Sequence, residues 1–251
     1  MGESEIVGAG EADGATLDQI LPDAFAVLRA WGFTFKTAGH WVKTTRHGKL
    51  AFGTGYILLM KLPPAVLDDP RHTPAALRGK RRGGMAAVML VDYESSAVGP
   101  YRELLYIPGK FAFGDVALQS ITRIYVSSME SVVNGRINWG IPKDQCDFDF
   151  QYGADGRDRC VASLNGKAFA TFAFKAGGWR LPFSTAIVPN ALLKLAQIHG
   201  GRQFVYVPSA AGSIRFAKVS DWSFDSALFP DLAQGRVLAC VKVPRFTMGF
   251  P

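Results

Sequence analysis

Apolar residues fall along this chain in short runs broken by Gly, Pro and charged residues, and few of the runs carry the 3.6-residue period of an amphipathic helix. The clearest pattern is Cys146-Asp-Phe-Asp-Phe-Gln-Tyr152, where apolar and polar residues alternate as in a half-buried strand. Asp155-Gly156 then turns the chain toward a second strand over Arg159–Leu164. Asn165-Gly166 follows; both residues tolerate positive φ, so the pair predicts a type I′ hairpin with Lys167–Phe174 as the return strand. Together these segments predict an antiparallel meander. Tyr56–Leu62, Ala86–Asp92, Ser120–Val126, Gln203–Val207, Ser213–Val219 and Arg236–Phe250 also read as strands.

Two segments read as helices. Asp23–Trp31 has Pro22 near its start, Phe25 and Leu28 on one face and Gly32 as a stop. A second is expected from Asn190, with Leu192, Leu195 and Ala196 on one face. His199 then sits where a cation favours the C-terminal dipole, a structural position, and Gly200 ends the helix. Pro63–Gly84, rich in Pro, Arg and Gly, reads as a long loop of the kind that is functional or disordered. Gly135, Gly140 and Pro142 predict an irregular backbone path into a strand. The expected fold is mainly β: one domain over residues 16–251, a barrel or curved antiparallel sheets with a few helices, behind a flexible acidic segment 1–15.

With 48% apolar residues in 251, the chain can bury a sizeable core. The formal charge of +7 is concentrated in Lys36–Lys49 and Arg71–Arg82, which read as solvated loops or as attractors of anions. No RNA-recognition, zinc-finger or helix-turn-helix pattern accompanies them, so no nucleic-acid partner is expected. No apolar run reaches the length of a membrane-spanning helix, and Met1–Gly14 lacks the basic flank and apolar region of a secretory signal. Cys146, Cys160 and Cys240 are odd in number and widely spaced, as suits reduced thiols in a cytoplasmic protein. Without a CxxC motif or Cys/His cluster no metal is expected, and His40, His47 and His72 are scattered. Neither a P-loop nor a dinucleotide fingerprint is present, and no cofactor is expected.

The chemistry-bearing candidates are Tyr101-Arg-Glu103 and Asn134–Lys143. Taken alone, Lys143 reads as a surface lysine. With an ordinary pKa of roughly 10.4, a lysine is neutral in fewer than about one molecule in a thousand at pH 7. To attack a carbonyl it needs desolvation or a neighbouring cation, and Trp139 and Ile141 are candidate desolvating neighbours.

Gly135-Arg136 followed by Trp139-Gly140-Ile141-Pro142-Lys143 resembles the GRxxxGxPK signature of the acetoacetate decarboxylase-like family. Gly99-Pro-Tyr101-Arg-Glu103 resembles the family's Tyr-x-Glu segment, and Tyr125-Val126 its strand entering the signature. Trp222-Ser-Phe-Asp225 and Phe229-Pro230 are similar more loosely. The resemblance runs from about Ala86 onward. It implies a β-barrel-like, cofactor-independent homo-oligomer acting on small oxo-acids, with Lys143 as the Schiff-base lysine and Glu103 as the active-site acid. Tyr101 would share Glu103's strand face. Arg136 is a candidate for binding a substrate carboxylate or for a structural ion pair, and Trp139 for lining the site or for plain core.

Two positions depart from the family pattern: Asp144 stands where a second lysine is common, and Ala87–Leu90 is apolar where a second carboxylate is expected. The expected function is a carbon–carbon lyase that decarboxylates a β-oxo acid. The alternatives are aldol condensation with dehydration through the same lysine, and a ligand-binding barrel without catalysis.

Overall fold

The computed structural model describes residues 34–37, 40–43 and 50–250. The helix expected over Asp23–Trp31 and the segment 1–15 lie outside the described residues. Strands β1 (Thr34–Thr37) and β2 (His40–Lys43) form a separate hairpin. There follow β3 (Leu50–Lys61), helix α1 (Pro64–Leu67), β4 (Ala86–Ser95), β5 (Tyr101–Ile107), β6 (Lys110–Phe113), β7 (Val116–Gln119) and β8 (Arg123–Val126). Helix α2 (Met129–Trp139) leads into β9 (Lys143–Gln145), β10 (Asp147–Tyr152), β11 (Arg157–Leu164), β12 (Lys167–Ala176) and β13 (Leu181–Ser184). Helix α3 (Asn190–Leu193), β14 (Leu195–His199), β15 (Arg202–Tyr206), β16 (Ser209–Phe224) and β17 (Arg236–Gly249) complete the order.

The main sheet runs β10-β11-β12-β16-β17-β3-β4-β5-β8-β9, with β13 attached to β16. Its end strands β9 and β10 are separated in the chain by Cys146 alone, so the sheet nearly closes into a barrel. Packing shows the same curvature: Tyr56 on β3 and Phe174 on β12 are three strands apart, yet their rings stack at 3.8 Å. The interior is filled by Leu58, Met60, Val88, Leu104, Tyr106 and Phe172 among others. A second sheet, β15-β14-β7-β6, completes the fold.

The meander forms as its pattern predicts: β10, β11 and β12 pair antiparallel in sequence order. Asn165 and Gly166 both take positive φ, 51° and 77°, the requirement of a type I′ turn.

The expected helix from Asn190 to His199 is instead a single turn, Asn190–Leu193, followed by a strand. Gly200-Gly201 explains the difference. Both residues take positive φ (55° and 74°) and join β14 to β15 as a hairpin, so the glycine read as a helix stop is half of a turn. Leu195, Ala196 and Gln197 are consecutively buried, which suits a strand covered on both faces. His199 therefore belongs to a strand, not to a helix terminus.

The second correction is the segment expected to be irregular, which is helical as far as Trp139. Ser128 caps the helix by accepting from the Ser131 N–H, and Gly140 ends it in the left-handed region at φ 63°. The expected strand Ser120–Val126 begins only at Arg123. Pro63–Gly84 is an ordered connection: Val66, His72 and Leu77 are buried, and its end is tied to β6 by the Arg82 N–H to the Lys110 carbonyl and the Lys110 N–H to the Gly83 carbonyl, both 2.7 Å.

Candidate active site

Strand alternation separates two environments along β5. Leu104 and Tyr106 point into the barrel, while Tyr101, Leu105 and Ile107 face the other side, where they pack with residues of α2 and the second sheet. Glu103 shares the second face by position and is only 4% exposed. Lys143 opens β9, beside Ile124 on the parallel neighbour β8, and is 6% exposed. Its Nζ donates to Glu103 Oε2 at 2.9 Å and to Ser131 Oγ at 3.0 Å, and it lies 5.1 Å from the centre of the Tyr101 ring.

Helix α2 makes the track for this lysine. Ser131 and Gly135 are four residues apart and so share a helix face. A Cβ at residue 135 would lie 2.6 Å from Lys143 Cδ and 2.8 Å from Cε, so only glycine lets the stem pass beneath the helix. One turn earlier, Ser131 receives the amine. Gly135→Ala should therefore displace the lysine although alanine favours helix by about 1 kcal/mol. We expect the variant to fold while losing most of its reactivity toward amine-trapping reagents. A circular dichroism melt paired with a trapping rate checks this, and unaltered trapping would refute the track.

Burial is the largest influence on Lys143 and pulls its pKa down, but the Glu103 carboxylate and the Tyr101 phenol, by charge and hydrogen bonding, together hold it above the ordinary lysine value. The raised lysine pKa contributes stability that is fully present below about 10.4, the unfolded lysine value, and is lost as pH rises through the raised value. Burial pushes the Tyr101 phenol up, with Lys143 acting against it. Tyr93 stacks on Tyr101 at 4.6 Å. Directly across from Glu103 stands Val91, so no second carboxylate faces it from β4.

Not every candidate gathers at the lysine. Asp144, one residue on, points to the other side of β9, where its carboxylate accepts from Arg123 Nη1 at 2.9 Å and Arg136 Nη2 at 3.0 Å. Arg136 also donates from Nε to the Lys143 carbonyl at 2.9 Å. Its guanidinium thus fixes the backbone of the lysine and engages the Asp144 side of the strand. Trp139 packs in the cluster between α2 and the second sheet, 5.2 Å from Phe250. Because Arg123 and Arg136 hold Asp144, Asp144→Asn is expected to leave the pH midpoint of lysine trapping where the parent has it. A shifted midpoint would show that the carboxylate reaches Lys143 electrostatically.

Ser131 is the site residue that residue patterns missed. The available signal was the helix start: a capping Ser128, Glu130 in the first turn and Gly140-Ile-Pro142 beyond the end. The cysteines offer no rival nucleophile. Cys146, Cys160 and Cys240 are buried and free, and burial pushes the thiols of Cys146 and Cys240 up to about 12. Among the described residues no His, Cys, Asp and Glu cluster is arranged to hold a metal, and no helix is long and apolar enough to cross a membrane.

This barrel with its second sheet is the acetoacetate decarboxylase-like fold. The acetoacetate decarboxylase of Legionella pneumophila subsp. pneumophila str. Philadelphia 1 matches with a TM-score of 0.58 at 10% identity, over 85% of this chain and 90% of that one. The enduracididine biosynthesis enzyme MppR complexed with pyruvate matches with a TM-score of 0.56 at 15% identity, over 82% and 89%. MppR complexed with the condensation product of pyruvate and imidazole 4-carboxaldehyde gives 0.55, also at 15% identity, over 82% and 88%. No family model and no curated protein matches the chain.

Proposed function

We propose that this protein is a Schiff-base-forming carbon–carbon lyase that decarboxylates a small β-oxo acid, with Lys143 as nucleophile and Glu103 as its proton partner. The observation that carries this reading is the buried contact of Lys143 Nζ with Glu103 Oε2 at 2.9 Å, in a fold shared with acetoacetate decarboxylase. Transfer of one proton across that hydrogen bond converts an ammonium–carboxylate pair into a neutral amine and a carboxylic acid. A substrate that excludes remaining water favours the neutral pair, because both charges lose solvation together.

The amine adds to the ketone carbon and water leaves, forming a protonated imine. The bond to the carboxylate carbon then breaks, carbon dioxide departs, and the electron pair moves to the imine nitrogen to give an enamine. Glu103, its proton gone with the departing water, takes up from solvent the one proton that the reaction consumes and delivers it to the enamine carbon; hydrolysis by water then releases the shortened ketone and restores Lys143. The phenol of Tyr101 and the hydroxyl of Ser131 orient the amine and the reacting oxygen. The enzyme works without a cofactor, as a cytoplasmic homo-oligomer; buried free thiols suit a reducing compartment, and the assembly follows from the resemblance.

The second reading keeps the imine and changes the reaction to aldol condensation with dehydration. It is favoured by the MppR complexes, which hold pyruvate and a condensation product of pyruvate. Borohydride treatment with a panel of acetoacetate-like and pyruvate-like oxo-acids tests both. A mass adduct is expected at Lys143, identified by peptide mass spectrometry, and product analysis of the compound that traps separates decarboxylation from condensation. If no oxo-acid gives an adduct, the imine chemistry is wrong and a ligand-binding barrel without catalysis takes its place.

A further inference from the structure

The face of the main sheet that carries Glu103 and Lys143 continues as apolar surface across the neighbouring strands. On β3, Tyr56, Leu58 and Met60 belong to the barrel interior, so Ile57 and Leu59 lie on the opposite face. On β4, Val88 and Leu90 point inward, while Met89, Val91 and Tyr93 point outward. On β17, Val241, Val243, Phe246 and Met248 join the outward cluster. Strand register ties this surface to the site. Val91 stands across from Glu103, Tyr93 across from Tyr101, and Met89 between Ile57 and Leu105. Apart from Glu103, Lys143 and the phenols of Tyr93 and Tyr101, the side chains named on this face are apolar. The Tyr93 hydroxyl is turned to the Met248 sulfur at 3.4 Å.

This surface is less completely covered than the barrel interior. Leu58, Met60, Val88 and Leu104 are 0% exposed, whereas Ile57, Met89, Tyr101, Val241 and Met248 are only half-buried. The accessible apolar surface begins beside the lysine. Tyr101, whose ring centre lies 5.1 Å from Nζ, packs against both the cluster containing Val132 of α2 and the cluster containing Val243 of β17, and so does Met89. Resting on the imine-forming reading of Lys143, we propose that the oxo-acid substrate carries an apolar substituent of several carbons on the far side of its ketone, and that Met89 is the residue that selects for it. An imine fixes the ketone carbon at Nζ, and the substituent then runs from Tyr101 over Met89 and Ile57. An alkyl chain gains from burial there. A second carboxylate in the same place would lose its hydration with no cation among these residues to replace it.

Carbon dioxide release by the full chain from acetoacetate, butyrylacetate and hexanoylacetate tests the proposal. kcat/KM is expected to rise about two- to fourfold per methylene, the gain from burying one CH₂. Succinylacetate, as long as butyrylacetate but ending in a second carboxylate, should be about tenfold poorer than butyrylacetate or worse. Met89→Trp should reverse the chain-length gradient by filling the surface. Met89→Gln, close in shape but polar, should flatten it, and remains informative if the tryptophan variant fails to fold. A merely structural Met89 would instead change every substrate alike. NMR titration of the double variant Lys143→Met, Glu103→Gln with methyl propyl ketone and methyl pentyl ketone reads the surface without imine chemistry. The longer ketone is expected to bind about fourfold tighter or more. If the ketones show that gradient while no oxo-acid is decarboxylated, the lyase reading fails and the apolar subsite stands. Turnover with equal kcat/KM along the series, or a gradient unchanged in the folded Met89 variants, overturns the subsite and leaves the lyase reading in place. Neither turnover nor a ketone gradient overturns both.

Discussion

Replacing Glu103 with Gln is expected to cut turnover by about 10²–10⁴-fold, the usual contribution of a positioned proton donor or acceptor, while making Lys143 easier to trap. The two effects diverge because Glu103 has opposing roles in the proposed reaction. Its carboxylate is the largest of the influences that keep Lys143 as the ammonium against burial, with the Tyr101 phenol adding to it. Glutamine keeps the shape and removes the charge. Burial is then opposed by Tyr101 alone, and the pH at which borohydride traps an oxo-acid on Lys143 should fall below that of the parent. Catalysis falls because no acid remains at 2.9 Å to exchange protons with the amine and the enamine.

The same substitution has a stability signature. A buried ammonium without its partner has a folded-state pKa below its unfolded value, so the variant should lose stability as pH falls from about 10.4, the unfolded lysine value, through that lowered pKa. Trapping and melting across pH would be measured on the same preparation. A trapping midpoint that stays in place or rises would show that Glu103 does not hold the proton, whatever happens to the rate.

How much of this was legible in the residues depended on whether the signal was local. The meander needed only alternation and Asn165-Gly166, both local, and it formed with the expected turn. The pairing of Lys143 with Glu103 was readable through the GRINWGIPK and Tyr-x-Glu segments, although no spacing rule brings residues 40 apart within hydrogen-bond distance. Helix α2 was hidden by Gly135, which lowers helix propensity and is there because a side chain from another element passes beneath it. Ser131 was hidden with the helix. Along β14, Leu195, Ala196 and Ile198 suit either a helix or a strand, and pairing with β15 and β7 decides between them. The direction of the lysine pKa was also out of reach of sequence, since it turns on whether Glu103 and Tyr101 together outweigh burial.

Lys143→Met is expected to abolish trapping and turnover and, in addition, to destabilise the protein by about 3–5 kcal/mol at neutral pH. Methionine matches much of the lysine stem and still fits past Gly135, so the loss would not come from a cavity. It comes from the carboxylate left at Glu103, buried beside Tyr101 and Val91 with its cation gone. In the unfolded chain that carboxyl ionises freely above about pH 4.3, whereas in the folded variant ionisation is opposed by burial. The deficit relative to the parent should therefore be small in acid and grow as pH rises through that value toward neutrality. Urea denaturation of parent and variant at both ends of that range measures it. The double variant Lys143→Met with Glu103→Gln removes the stranded charge and should recover much of the loss, since a buried ion pair replaced by neutral groups often costs little. If the single variant is nearly as stable as the parent at every pH, water reaches Glu103 freely. The dry pocket on which the imine chemistry depends would then have to be abandoned, even if Lys143 proved reactive.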